Sequence, residues 1–443
     1  MAVSQDDIRA KFASALSEMY RREVPQYGTL LELVAEINQH RNEDSLNGSI
    51  PPRIEVERHG AIRLGKPEEL ATIRRLFQIL GMYPVGYYDL SVAGLPVHAT
   101  CFRPLSKESL AKNPFRVFTS LLRPEMIEDE NLRAQAEEIL SKRQIFSPRC
   151  IQLIKEWEQC PTFSQAQVDE FIKESLETFR WHRTTTVSKE TYQALQNAHP
   201  LIADVVCFRG PHINHLTPRV VDIEVAQIEM LKRGLHAKES IEGPPLMNCP
   251  ILLRQTSFLA LEEKVDFSDG AEIDGKHKAR FGEIEQRGMA LKPKGRVLYD
   301  KIIQSKASSD LVDFASFPDD YATIRKEKLG YFTYSVAKTL SGPLLKRDLD
   351  SLVEDGIVSF EPITYEDFLP VSAAGIFQSN LGTGSVHIVK AHSDEALFED
   401  ALGTSVLDGF ELYRSMEESS LIQVYDTLGL SPLVRNDPVA SRI

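Results

Sequence analysis

The chain has 443 residues, 42% of them hydrophobic, and its 64 acidic and 51 basic side chains give a formal net charge of −13. This length predicts two or three domains with a large buried core. The acidic balance argues against a nucleic acid as partner, because phosphate binding needs a basic surface. No stretch approaches the roughly 18 apolar residues of a membrane-spanning helix, so no membrane partner is expected either.

The cysteines and the two termini bear on the cellular compartment. The N-terminus, MAVSQDDIRAKF, lacks the basic start and apolar run of a secretory signal. The odd number of cysteines and the absence of a CxxC pair indicate reduced thiols and an intracellular, cytoplasmic protein. Ser441-Arg442-Ile443 at the C-terminus is a variant of the Ser-Lys-Leu peroxisomal address, which makes peroxisomal import the alternative. The five cysteines are Cys101, Cys150, Cys160, Cys207 and Cys249.

In chain order, residues 1–50 form an N-terminal helical segment, with apolar side chains at helical spacing over 6–40 and a polar linker over 42–52. Residues 51–104 form a first module of strand, helix, strand and strand. Its helix is marked by Pro67 at an early position, acids in the first turn and Gly81 at the end. The predicted elements are a strand over 53–64, a helix over 66–80, and strands over 83–90 and 95–102.

Residues 105–200 are charged and predict a helical insertion. Residues 201–292 then repeat the pattern of the first module with almost no identity, since a histidine again precedes a helix that ends in glycine and is followed by strands. Its predicted elements are strands over 202–208, 235–243, 251–264 and 279–287, and a helix over 217–231. The mixed C-terminal region covers 293–443, with strands expected over 331–339 and 386–391 and helices over 397–402 and 421–428.

Two histidines and a glutamate occupy related places in this repeat. His59 and His215 stand near the start of their modules, and Glu283 lies on the last strand of the second. Two imidazoles and one carboxylate leave adjacent coordination positions open, which suits non-haem iron(II). Any one of the eleven histidines, taken alone, could instead be an ordinary polar side chain with a hydrogen bond and no metal. Glu283 and Glu285 share a face of their strand, so the repeat leaves both glutamates open as the third ligand.

An arginine follows the first histidine on the same strand face. Arg63 lies four residues after His59, with the two Cα atoms roughly 13 Å apart, and could bind the far carboxylate of a substrate chelated to the metal. A surface arginine is the other interpretation. The glycine-containing stretch VSAAGIFQSNLGTG predicts a loop closing over the site, where Val371 and Ser372 could offer hydrogen bonds.

Several long strings resemble one known family. VERHGAIRLG, NPFRVFTSLLRPE, LIADVVCFRGPHINHLTPR, PILLRQTSF and RFGEIEQRGMALKPKGRVLYD are similar to the 2-oxoadipate dioxygenase/decarboxylase family, also called hydroxyglutarate synthases. The resemblance spans nearly the whole chain. It implies an α+β fold: a vicinal-oxygen-chelate-like barrel of two βαβββ modules, with a helical N-terminus, a helical insertion and a mixed C-terminal region completing the active site.

The resemblance also implies roles for single residues. His59 in RHGAIR and His215 in INHLTP match the family's iron ligands. FGEIEQR is similar to the FFEIIQR of 4-hydroxyphenylpyruvate dioxygenases, where the first glutamate binds iron, and this favours Glu283 over Glu285. Arg63 matches the arginine that holds the substrate. Three further positions match residues that line the substrate site, namely Gln255, Val371 and Ser372.

The reaction that the resemblance implies is the iron(II)-dependent conversion of 2-oxoadipate and O2 to 2-hydroxyglutarate and CO2, in lysine breakdown. The partners are then a small 2-oxo dicarboxylate and O2, and no 2-oxoglutarate cosubstrate is needed. One alternative is another metalloenzyme of this fold, with a different metal or a different 2-oxo acid. Arg63 argues for a dicarboxylate. The other alternative is a non-catalytic metal-binding scaffold. The open coordination positions argue against it, because a scaffold does not bind a substrate at its metal. The sequence leaves the oligomeric state open.

Overall fold

The structure is a computed structural model. It describes residues 2–44, 51–235, 237–238, 240–258, 262–270, 275–278, 280–306, 314–338, 348–369 and 394–430. The chain divides into two compact units. The first consists of Met1–Gly243, Arg254–Gln286 and Asp367–Leu407, and the second of Pro244–Leu253, Arg287–Glu366 and Asp408–Ile443. Among the described helices, none combines the length and the apolar character needed to cross a membrane.

The predicted N-terminal helix is confirmed as two helices. Ser4 caps α1 by accepting a hydrogen bond from the Asp7 amide, and α1 buries Leu16 and Tyr20. Pro25 begins the second helix, because proline has no amide hydrogen with which to continue the first. A short third helix occupies the start of the stretch that was predicted as a strand over 53–64. The helices are α1 (Gln5–Glu23), α2 (Pro25–Asp44) and α3 (Arg53–Val56).

The first module is a complete βαβββ unit. Its sheet has the order β2-β3-β4-β1, with β1 and β4 parallel and the other pairs antiparallel. The strand β4 corrects the sequence analysis, which placed these residues in a helical insertion. The elements are β1 (Arg58–Leu64), α4 (Pro67–Ile79), β2 (Tyr83–Asp89), β3 (Val97–Arg103), α5 (Lys107–Lys112) and β4 (Arg116–Leu122).

The remainder of the predicted insertion is helical. The prediction of a strand over 202–208 is wrong, because these residues lie mostly in a helix that begins with Pro200 and is capped by His199, whose side chain accepts a hydrogen bond from the Leu201 amide. The helices are α6 (Glu130–Lys142), α7 (Pro148–Gln159), α8 (Gln165–Phe179), α9 (Lys189–Ala198) and α10 (Pro200–Val206). In the first unit, a large apolar core joins α1, α2, α4, α7 and α8 to the sheet.

The second module repeats the strand order of the first with shorter strands. Here β9 pairs with β6, and Arg219, just after β5, forms a parallel bridge to Glu285. The predicted strand over 235–243 is reduced to isolated bridges at Ala237 and Glu242, the latter to Gln255. The elements are β5 (Leu216–Pro218), α11 (Ile223–Lys232), β6 (Leu253–Ser257), β7 (Glu262–Val265), β8 (Gly275–Lys278) and β9 (Glu283–Arg287).

The two modules join where β5 pairs antiparallel with β1. The α+β class and the pair of βαβββ modules are thus confirmed. The division into the five sequence segments stays a prediction.

The second unit is smaller and has its own apolar cluster, which includes Leu352, Val358 and Val424. The strand predicted over 331–339 and the two C-terminal helices are confirmed, with α15 belonging to the first unit. The strand predicted over 386–391 lies outside the described residues. The elements are α12 (Pro293–Lys306), α13 (Tyr321–Lys326), β10 (Phe332–Val336), α14 (Leu349–Glu354), β11 (Val358–Pro362), α15 (Glu395–Leu402) and α16 (Gly409–Thr427).

Candidate metal centre

His59 and His215 meet where β5 runs beside β1. In this pairing Thr217 is the register partner of His59. Gly60 makes the close approach possible, because a Cβ atom there would lie 2.6 Å from Ile213 Cδ1 and 3.0 Å from the His215 carbonyl oxygen. The first of these distances is shorter than real Cβ contacts and the second is tighter than most. A side chain at this position would therefore require both the Ile213 side chain and the His215 backbone to shift.

Glu283, the first residue of β9, lies between the two imidazoles. Its Oε2 atom is 3.2 Å from His59 Nε2 and 3.3 Å from His215 Nε2. One ligand atom from each of the three side chains lies within 4.8 Å of the other two, and all three residues are buried. Thr217 Oγ1 donates a hydrogen bond to Glu283 Oε2 at 2.8 Å, and Gln255 Nε2 donates to Oε1 at 2.7 Å. The carboxylate is therefore fixed at both oxygens.

The protonation states of these groups suit a cation. Burial lowers the pKa of His215 to about 3, so this imidazole is neutral near pH 7. Burial alone would raise the pKa of Glu283, but the contacts with His59 and His215 outweigh it and lower this pKa, which keeps the carboxylate ionised. For His59 burial is likewise outweighed, and the carboxylates of Glu285 and Glu283 raise its pKa. A divalent metal ion can replace the proton that His59 then carries.

Glu285 occupies a different place from Glu283. Its Oε2 atom lies 2.8 Å from Nδ1 of His59, on the side of the ring opposite the Nε2 atom that faces Glu283. Its Oε1 atom lies 3.7 Å from Arg116 Nη1, and Arg116 also donates to Glu57 at 2.7 Å. A carboxylate at Nδ1 favours a proton on that nitrogen and leaves the Nε2 lone pair for a metal. The structure thus places Glu283, and not Glu285, at the shared centre.

Aromatic rings cover both imidazoles. The Phe368 ring is centred 4.9 Å from the His59 ring, and the Phe281 ring 4.7 Å from the His215 ring. Apolar walls restrict water and lower the local dielectric constant, which strengthens electrostatic interactions inside the centre.

The other predicted site residues have mixed outcomes. Arg63 is 2% exposed and forms an ion pair with Asp204. Gln255 contacts the predicted metal ligand Glu283. Val371 and Ser372, predicted to contact the substrate, lie outside the described residues.

Two residues that contact the predicted site residues were not identified from the sequence: Asp204, which pairs with Arg63, and Thr217, which donates to Glu283. Asp204 is the one acid in the apolar run LIADVVCF, and a lone acid in such a run indicates a buried carboxylate that needs a partner. Thr217 was interpreted as the start of a helix, whereas it lies on β5 and donates to Glu283.

Comparisons with known proteins identify the family of the chain. A family model described as 2-oxoadipate dioxygenase/decarboxylase matches residues 12–380. The chain is 53% identical to the 2-oxoadipate dioxygenase/decarboxylase of Escherichia coli (strain K12), over 95% of this chain and 98% of that protein.

Solved structures give the same result. The crystal structure of the hydroxyglutarate synthase from Pseudomonas putida in complex with 2-oxoadipate superimposes with a TM-score of 0.89 at 49% identity, covering 97% of this chain and 99% of that one. A Shigella flexneri structure of an uncharacterised protein gives a TM-score of 0.86 at 51% identity, covering 96% of this chain and 99% of that one. The chain belongs to the 2-oxoadipate dioxygenase/decarboxylase family.

Proposed function

We propose that this protein is an iron(II)-dependent dioxygenase and decarboxylase that converts 2-oxoadipate and O2 to 2-hydroxyglutarate and CO2. The buried set of His59, His215 and Glu283 carries the proposal. It occurs in a chain that is 49% identical to a hydroxyglutarate synthase crystallised with 2-oxoadipate. Lysine breakdown is the setting that the family resemblance implies.

The donor set supports iron as the metal. Two imidazole nitrogens and one carboxylate oxygen form the facial arrangement of non-haem iron(II) sites, with adjacent positions left for substrate and O2. His59, His215 and Glu283 would hold the iron, which would supply open coordination positions for the 2-oxo acid and O2 and a redox centre between them.

The surrounding residues keep these donors in place. The Glu285 carboxylate lies 2.8 Å from His59 Nδ1, while Thr217 and Gln255 donate hydrogen bonds to Glu283. Such outer contacts orient ligands and raise their basicity. Phe368 and Phe281 pack against the two imidazoles and would limit access of water to the centre, which reduces side reactions with water.

Arg63 would bind the distal carboxylate of the substrate, since a guanidinium recognises a planar carboxylate with two parallel hydrogen bonds. Gln255, Val371 and Ser372 remain predicted substrate contacts.

The reaction balances without a further reductant. The bond between C1 and C2 of 2-oxoadipate breaks, C1 leaves as CO2, and a C–H bond of the remaining five-carbon acid becomes C–OH. The substrate supplies all four electrons that reduce O2, and both oxygen atoms are accounted for in the products. A separate 2-oxoglutarate cosubstrate is therefore unnecessary.

The test is oxygen uptake by the purified protein with 2-oxoadipate, with and without ferrous iron. We expect equal amounts of O2 consumed, CO2 released and 2-hydroxyglutarate formed, only with iron. The absence of iron-dependent uptake would reject the reaction. Faster uptake with a monocarboxylic 2-oxo acid of the same length would indicate a different substrate in the same metal site.

A further inference from the structure

A second buried group of charges surrounds Arg63. Arg63 lies on β1 and is 2% exposed, and its Nη1 atom forms an ion pair with Oδ2 of Asp204, which is 3% exposed and lies on α10. Burial by itself would raise the pKa of Asp204, but the charge of Arg63 and the contacts with His212 and His277 together outweigh it and hold this pKa well below its usual value. The Arg63 guanidinium and the Asp204 carboxylate are therefore both charged.

The other oxygen of Asp204 is held by histidines. His277 Nε2 lies at hydrogen-bond distance from Oδ1, 2.9 Å, and His212 Nε2 lies 3.4 Å from the same atom. On its far side, His277 Nδ1 lies 2.8 Å from the hydroxyl of Tyr192. The Trp181 ring lies parallel to the His277 ring within 7°. These contacts fix the Asp204 carboxylate in one orientation.

This arrangement differs from an ordinary structural ion pair in the same unit. In the pair Arg103–Asp367, both carboxylate oxygens face the guanidinium, at 2.6 and 3.2 Å. Asp204 instead turns one oxygen to Arg63 and the other to His277. Because a guanidinium carries five N–H donors in a rigid fork, it can serve two carboxylates at once.

Arg63 is also linked to the metal centre. It lies on the same strand face as His59, four residues along β1. The residue before His215 provides a second link. When its amide is turned to satisfy the neighbouring donors, the Asn214 side-chain oxygen lies 3.1 Å from Arg63 Nη1 and 3.2 Å from His212 Nε2.

We propose that Asp204 is a positioning residue for substrate selection. Held by His277, it orients the Arg63 guanidinium so that Arg63 receives the distal carboxylate of a dicarboxylic 2-oxo acid chelated at the metal. This inference rests on the proposed function, because that function supplies the dicarboxylic substrate.

The experiment measures binding without turnover. Iron(II)-loaded protein is titrated anaerobically, by calorimetry, with 2-oxoadipate and with 2-oxohexanoate, which has the same chain length and lacks the distal carboxylate. The ratio of the two Kd values reports recognition of that carboxylate. We expect the wild-type protein to prefer 2-oxoadipate by about 100-fold, the value of a charge-assisted carboxylate contact.

The variants isolate the role of Asp204. Asp204→Asn keeps the shape and removes the charge, and should lower the preference by about 10-fold or more, with iron content and 2-oxohexanoate affinity unchanged. Asp204→Glu should restore part of the preference. Tyr192→Phe removes only the hydroxyl that contacts His277 and should lower the preference by about 2- to 5-fold. If Asp204→Asn does not fold, this variant tests whether the orientation of Asp204 affects ligand preference. Glu417→Gln, which neutralises a buried carboxylate ion-paired with Lys292 in the second unit, is the matched control and should leave the ligand preference and the iron content unchanged.

The outcomes separate this inference from the proposed reaction. If the preference depends on Asp204 while 2-oxoadipate supports no oxygen uptake, the positioning role stands and the reaction is rejected. If uptake occurs but the preference is absent or is the same in the folded variants, Asp204 has no positioning role. Equal weakening of both ligands together with loss of iron would also overturn the proposal, since it would show a purely structural ion pair.

Discussion

The two buried charge clusters of the first unit are built differently. In one, Arg63 faces Asp204, so a fixed cation balances a fixed anion. In the other, the Glu283 carboxylate faces His59 and His215, side chains that carry no charge when they act as metal ligands. Buried carboxylates are costly unless a positive charge offsets them. The first cluster is therefore balanced by two fixed charges of the protein, whereas the second is balanced either by a proton on His59 or by a bound metal cation that replaces that proton.

Removal of the metal should have the largest effect and should affect only the histidine cluster. Treatment with a chelator is expected to abolish oxygen uptake with 2-oxoadipate, and ferrous iron should restore it. Iron at about a thousand times its Kd should stabilise the folded state by about 4 kcal/mol. Thermal unfolding with and without iron checks this difference. An unchanged melting temperature and full activity after chelation would contradict the proposed centre.

Replacement of Arg63 should disturb the balanced cluster and leave the metal in place. Arg63→Gln is expected to raise KM for 2-oxoadipate by about 10- to 100-fold, because a charge-assisted contact to the distal carboxylate is lost. Steady-state kinetics and iron analysis on the same preparation measure both quantities. The variant also leaves Asp204 buried without its cation, so unfolding must be followed in parallel. Arg63→Lys, which keeps the charge, should recover part of the affinity.

Gly60→Ala tests whether close packing of β1 against the His215 segment holds the metal centre together. The added Cβ would meet Ile213 at 2.6 Å and the His215 carbonyl oxygen at 3.0 Å. We expect destabilisation of about 1–3 kcal/mol and weaker iron binding. Chemical denaturation and a competition assay for iron provide the two readouts.

Gly28→Ala in α2 is the control for Gly60→Ala, because the nearest atoms to its added Cβ belong to the flexible side chain of Arg21. It should be neutral or slightly stabilising, since alanine favours a helix over glycine. Equal effects of the two substitutions would remove the special role of Gly60.

The smallest effect is expected for Thr217→Val, which removes one hydrogen bond to Glu283 and nearly preserves volume. Loss of an outer contact of this type lowers metal affinity by about 10-fold. Competition with a coloured iron chelator measures the change. Thr72→Val, on the exposed side of α4, serves as the control.

The sequence predicted elements whose pattern is local. The helix α4 shows apolar spacing, an early proline and first-turn acids, and it was found at nearly the predicted bounds. The strand β4 was missed because every one of its residues is buried, so its sequence does not alternate. The helix α10 was mistaken for a strand since a short apolar run has no decisive periodicity.

At the site, His59, His215 and Glu283 were predicted from repeat position and family resemblance, and the structure brings them together. Its isolation in an apolar run marks Asp204 in the sequence, but its partners could not be assigned because they lie far along the chain: Arg63 is 141 positions away and His277 is 73. The requirement for glycine at position 60 likewise arises from a contact between two modules, which no local pattern records.

One comparison tests the proposed ligand set most directly: the iron content of Glu283→Gln and Glu285→Gln after anaerobic loading and desalting. Glu283 faces both Nε2 atoms, whereas Glu285 contacts the opposite side of the His59 ring. We predict that Glu283→Gln loses its iron and that Glu285→Gln keeps most of it. Retention of iron by Glu283→Gln with loss from Glu285→Gln would contradict the ligand set and move the third ligand to Glu285.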